Sequence, residues 1–143
     1  MRKTKNIQIY VLVLLVVAAL VGRIIAHKSA SNYGHTLKLA LSTVGVASFA
    51  DTSKLRNFFA SPDMATSRRQ LEALSFLGGD YSVRADELQR GIIYLSEQMA
   101  LAPAQRFSAP LSMNHLTILS DDRTDDGIAA AASCLIDSYE SQL

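Results

Sequence analysis

Residues Ile7 to Ala26 form a 20-residue apolar run interrupted only by Gln8 and Arg23. As an α-helix rising about 1.5 Å per residue it would span about 30 Å, the thickness of a bilayer's hydrocarbon core. A helix apolar on every face has no side for water, and a soluble domain of this size does not need one. The uninterrupted centre, Ile9 to Gly22, is 14 residues long, which also falls within the range of a signal-peptide apolar region.

The flanks favour retention over cleavage. Ser29-Ala30-Ser31 offers small residues at cleavage-site spacing, but Arg23, His27 and Lys28 lie just before it, where a signal peptide is neutral. Ile24-Ile25-Ala26 is a poorer site. Arg23 suits a helix end, its stem in the acyl region and its guanidinium at the headgroups. The expectation is a transmembrane anchor over residues 7–26, with a cleaved signal and a soluble periplasmic product as the alternative. Arg2, Lys3, Lys5 and the terminal amine precede the run, whereas Arg23 and Lys28 follow it. That bias predicts a cytoplasmic basic segment at 1–6 and an exported body. In a bacterium this means a single-pass inner-membrane protein facing the periplasm. A lipoprotein is excluded because no cysteine closely follows the run, and the Gly-ended leader and Glu of a type IV pilin are both missing.

The remainder is long enough for one compact domain. Removing the first 28 residues takes five of the 14 Lys and Arg and none of the 13 Asp and Glu, so the body carries 9 basic and 13 acidic side chains, a formal charge of −4. An acidic body is a poor match for nucleic acid, which calls for clustered cations. The only basic doublet in it, Arg68-Arg69, reads as a solvated helix face. Cys134 is the single cysteine, so no intramolecular disulfide can form. "KSASNYG", at 28–34, reads as a flexible tether, which gives a domain plan of 1–6, anchor 7–26, tether 27–35 and helical domain 36–143.

Cap and turn signals cut the body into about five helical pieces. The first, Thr36 to about Phe49, has Leu37, Ala40, Leu41 and Val44 on one face, with Leu39 and Val46 leaving little polar surface. Ser53 to Ala60 carries Leu55, Phe58 and Phe59. The third opens with Ser61 as cap, Pro62 at the first helical position and Asp63 at the positive end of the helix dipole. It continues through Leu71, Leu74 and Leu77 to a stop at Gly78-Gly79. A fourth, capped by Ser82 and ended by Pro103, places Ala85, Leu88, Ile92, Leu95, Met99 and Ala102 at spacings of three and four, with Asp86 and Arg90 paired outside. That pattern covers under three heptads without flanking charge pairs, so it predicts bundle packing within the chain over a coiled coil between chains. Residues 106–120 fit strand, helix or loop. The last helix, from about Gly127, follows "DDRTDD" and has Ile128, Ala131, Ala132, Leu135, Ile136 and Tyr139 as its apolar face. The fold expectation is all-α, an N-terminal transmembrane helix followed by a small bundle of about five helices.

Signs of catalysis are few. His27, His35 and His115 have no second ligand at metal-binding spacing, and no glycine-rich phosphate loop occurs. Asp122, Thr124, Asp126 and Gly127 match the start of a calcium loop, but Ser133 stands where the bidentate Glu belongs, so a helix N-terminus is the better reading. No catalytic, cofactor or metal residue is expected. "GGDYSVRADELQRGIIYL" and the terminal "CLIDSYESQL" together resemble the periplasmic immunity proteins that neutralise type VI secretion amidases. The resemblance touches 28 of the 143 residues, and it implies a small exported helical protein that blocks an amidase by binding it. The leading expectation from the residues themselves is a non-enzymatic, membrane-anchored helical interaction protein, an accessory of an envelope or secretion complex. Cys134 offers such a chain a homodimeric contact.

Overall fold

The structure, a computed structural model, describes residues 2–77, 80–118 and 122–143. Five α-helices follow one another: α1 Arg2–Phe49, α2 Thr52–Phe59, α3 Pro62–Ala73, α4 Tyr81–Ala100 and α5 Asp125–Ser141. Single 3-10 turns at Ser75–Leu77 and Pro103–Gln105 follow α3 and α4. No strand occurs among the described residues, and 106–118 is irregular coil. The all-α expectation holds.

The largest departure from the sequence reading is α1. The apolar run, the expected tether at 27–35 and the first body helix are one 48-residue helix, about 72 Å long at 1.5 Å per residue. Ser29, Ser31, Asn32 and Gly34 are indifferent or poor helix formers, so propensity alone favours a break here. Tertiary contact overrides it. Gly22, Ala26, Ala30, Tyr33, Gly34 and Leu37 recur at three- and four-residue spacing and are all buried, on the face against which α3, α4 and α5 pack. Gly34 is required by proximity: a Cβ there would lie 2.8 Å from Cε1 of the Tyr139 ring. Tyr139 in turn donates its hydroxyl to the Ala30 carbonyl at 2.7 Å.

Asp51 caps α2, its carboxylate accepting from the Lys54 N–H at 3.2 Å, and Leu55 and Phe59 turn inward. Ser61 stands at the α3 N-cap without a side-chain cap bond, and Pro62 and Asp63 fill the first turn as expected. The helix ends at Ala73, before the glycines; Gly78 and Gly79 lie outside the described residues, as do Leu119, Ser120 and the side chains of Val44 and Val46. At α4 the cap is Asp80 in the left-handed region (φ 52°), not Ser82, so the helix starts one residue earlier than that cap. Asp and Asn tolerate this conformation better than other non-glycine residues. Ala85, Leu88, Ile92, Leu95 and Met99 are buried, whereas Ala102 falls beyond the helix and is exposed. The α4 stripe therefore forms the centre of the bundle, and α5 packs along it with all six of its expected core residues buried. Each fully buried Leu or Ile contributes about 1.5–3 kcal/mol.

Candidate functional site

Residues 4–18 of α1 are all exposed. Ile7, Val11, Leu14, Val17, Leu20 and Val21 point in all directions around the helix, and each is about half or more exposed. An 18-residue window of this helix has mean hydropathy 2.7 and is only 11% buried. It is a bare apolar rod of membrane-spanning length, and it meets the bundle at Gly22.

Within the bundle, α4 carries a second, polar stripe, buried at Glu87 and Gln98, half-buried at Tyr94 and exposed at Arg90. Glu87, Arg90, Tyr94 and Gln98 share one side of the helix, and each holds a piece of the irregular segment 106–118. Glu87 is 3% exposed. Its carboxylate accepts the successive backbone N–H groups of Asn114, His115 and Leu116. Arg90 donates to the Ser112 carbonyl at 3.2 Å, and the Tyr94 hydroxyl to that of Ala109 at 2.7 Å. Gln98 accepts the Phe107 N–H at 2.7 Å, which supports a positive φ of 62° that an aromatic residue rarely adopts. Arg106, also buried, donates to the carbonyls of Met99, Leu101 and Arg123 and pairs with Asp125 at 2.8 Å. It thus ties the end of α4 to the start of α5. A segment fastened at each step to side chains of one helix has its backbone groups satisfied without a ladder, which is why it is neither strand nor helix. Beneath it lies a cavity of about 220 Å³ lined by Tyr94, Phe107, Leu111, Met113, Leu116 and Ile118 among others.

His115 sits in this clasp, Nδ1 3.4 Å from Glu87 and Nε2 3.8 Å from Asp80. Both Glu87 oxygens are engaged with backbone N–H groups, so this carboxylate holds the chain and is not poised as a base. His27 meets the Tyr81 ring edge-on at 6.0 Å, and His35 is exposed. Among the described residues no group of three or more His, Cys, Asp or Glu is placed to hold a metal ion. The calcium-loop alternative conflicts with the geometry directly. Helix α5 begins at Asp125, the Thr124 hydroxyl caps it through the Gly127 N–H, and Asp122 accepts the Thr124 N–H at 2.9 Å. That bond holds the Asp122 carboxyl below its usual range.

Arg68 corrects another expectation. It is not solvated but bonds Gln89 at 2.6 Å and Asp86 at 3.1 Å, linking α3 to α4. Beside it Tyr33 is buried against Gln89, and burial pushes the phenol up to about 12. Burial also raises Tyr139 well above the ordinary tyrosine value. Arg69, its neighbour, is exposed.

An open groove lies between the distal half of α1 and α5. Its volume is about 260 Å³, and Lys38, Leu41, Phe49, Ala129, Ala132 and Ile136 line most of it. Small side chains, Ser42 from α1 and Ala129, Ala132 and Ser133 from α5, leave the gap. The Lys38–Asp137 pair at 3.2 Å closes one end; the hydrogen bond and charge of Asp137 hold the lysine pKa up. Cys134, beside the groove residue Ser133, is exposed. The polar stripe of α4 and the groove were both missed in the sequence, although Glu87, Arg90, Tyr94 and Gln98 recur at helical spacing and could have been noticed. Comparison with known protein families, with curated proteins and with solved structures returns no match.

Proposed function

We propose that this chain is a non-enzymatic, single-pass membrane protein whose helical body is an interaction module in the bacterial periplasm, an accessory subunit of an envelope or secretion complex. The bare apolar rod of α1 carries this reading. Its side chains are exposed on every face from residue 7 to 18 and on all but the Gly22–Ala26 side at the end of the run, and the same helix enters the bundle without a break. The continuity also favours retention over cleavage. Processing after Ser31 would cut α1 one residue beyond Ala30, which is fully buried and accepts the Tyr139 hydroxyl, and would remove Gly22 and Ala26 from contact with the domain.

The test is fractionation of a C-terminally tagged protein with its mature N-terminus sequenced. The expected product resists salt and carbonate extraction and begins at Met1 or Arg2. A soluble product beginning near Asn32 overturns the anchor.

A second reading, a periplasmic immunity protein that occludes a type VI secretion amidase, draws on the groove. The terminal stretch that resembles that family lies on α5, and its neighbour Ser133 and its own Ile136 open onto the groove. Co-purification of an amidase from the native host would favour it over the envelope-complex reading.

A further inference from the structure

The last turn of the apolar run is covered on one side only. Gly22 and Ala26 are buried, while Ile24 and Ile25 remain 67% and 48% exposed. The cover over Gly22 is the turn Ser75–Leu77: a Cβ on Gly22 would collide with Leu77 Cδ1, and Leu74 is next to it. Gly22 precedes Ala26, the end of the run, by four residues, about 6 Å along the helix axis. If the run occupies the bilayer, this turn cannot stand clear of it. Interfacial segments sit about 5–10 Å into the headgroup–acyl boundary, which matches that depth.

The same turn carries Phe76, 79% exposed and the most exposed large apolar side chain among the described residues. In water this is an unfavourable placement; at the level of Gly22 the ring has lipid to enter. The charges around it agree. Ser29 bonds Gln70 at 3.3 Å, which sets the C-terminal half of α3 about 4.5 Å beyond Ala26, at headgroup height. Arg23, Lys28 and Arg69, all exposed around this level, make no ion pair among the described residues. Anionic headgroups would supply their partners.

We propose that the Ser75–Leu77 turn and the adjoining end of α3 are a membrane-docking surface, with Phe76 inserted in the interfacial layer beside the span and Arg23, Lys28 and Arg69 among lipid phosphates. This rests on the anchor reading. It makes α1 a fixed strut: the groove, at residues 38–49 of α1, is held about 24–40 Å beyond Gly22, out of reach of the bilayer surface. Helix α4 runs the same way, from Tyr81 beside His27 to Ser96, whose hydroxyl donates to the Phe49 carbonyl. Leu101, exposed just past its end, is therefore a membrane-distant reference.

The chain has no tryptophan, so Phe76→Trp gives a sole tryptophan at the proposed depth and Leu101→Trp one far from it, each read by selective tryptophan excitation. Both full-length variants are reconstituted in phosphatidylethanolamine–phosphatidylglycerol vesicles, with and without lipids brominated near the top of the acyl chains. The expected result is blue-shifted Phe76→Trp emission that loses most of its intensity to brominated lipid, with Leu101→Trp water-like and unquenched. Equal, unquenched emission from both, in protein that still resists carbonate extraction, overturns the docking surface and leaves the anchor standing. Release of the protein by carbonate overturns both.

Discussion

Glu87 fastens a loop to a helix through one side chain. Its carboxylate satisfies three consecutive backbone N–H groups at 114–116, and hydrogen bonds to a charged acceptor contribute about 1.5–3 kcal/mol each, without simple additivity. Glu87→Ala should therefore cost about 3 kcal/mol or more in chemical denaturation and speed hydrogen exchange at those amides. A loss below about 1 kcal/mol would mean that water replaces the carboxylate freely. Tyr33 makes a different residue-scale prediction. Its phenol ionises near 10.0 when unfolded and at about 12 when folded, so its contribution is complete below pH 10 and is lost as pH rises toward 12. Thermal stability should fall over that window, and Tyr33→Phe should shallow the fall. An unchanged alkaline limb in the variant would remove Tyr33 as its source.

At the scale of elements, each helix of the body has one buried face, and α4 also buries Glu87 and Gln98. Leu88 and Leu95 are fully buried, so truncating either to Ala should cost about 2–5 kcal/mol. Glu97 makes an exposed ion pair with Arg56 at 2.8 Å, and such pairs contribute about 0–1 kcal/mol. Glu97→Ala should hardly register beside them, and equal effects at all three positions would contradict the α4 register. The apolar face of α4 and that of α5 were legible from spacing, because burial at three- and four-residue intervals leaves that imprint in any helix packed on one side. The unbroken α1 was not legible in the same way. "KSASNYG" has the composition of a linker, and only Tyr139, more than a hundred positions away, reveals why Gly34 must be small and where the Ala30 carbonyl finds a donor. The stripe Gly22, Ala26, Ala30, Gly34 was nonetheless present, the spacing at which helices approach closely.

The whole molecule is a rod with a bundle built around its distal half. Its exposed thiol acts at this scale. Cys134 projects from α5 and has no intramolecular partner, and anchoring would confine neighbouring bodies to a thin layer of high effective concentration. In an oxidising compartment a minor disulfide-linked dimer is the expected outcome. Non-reducing gels of membranes prepared with a thiol-blocking reagent should show it, and it should vanish on reduction and in Cys134→Ser. An exclusively monomeric band would sink this contact. The residue type favours a buried Cys134, since free cysteines are usually interior, but the structure leaves the thiol exposed on α5.

The linear sequence determined the helical class, the apolar span and the core faces of α4 and α5, because each rests on short-range periodicity or on a run longer than any soluble helix requires. Tertiary structure alone decided that the apolar run and the domain share one helix, that Glu87 clasps 114–116, that Arg68 is a bridge between α3 and α4, and that Leu77, beside Phe76, covers Gly22. Each of these depends on pairing groups distant along the chain, where no local pattern marks one Glu, Arg or Phe from another. Burial and proximity assign their roles.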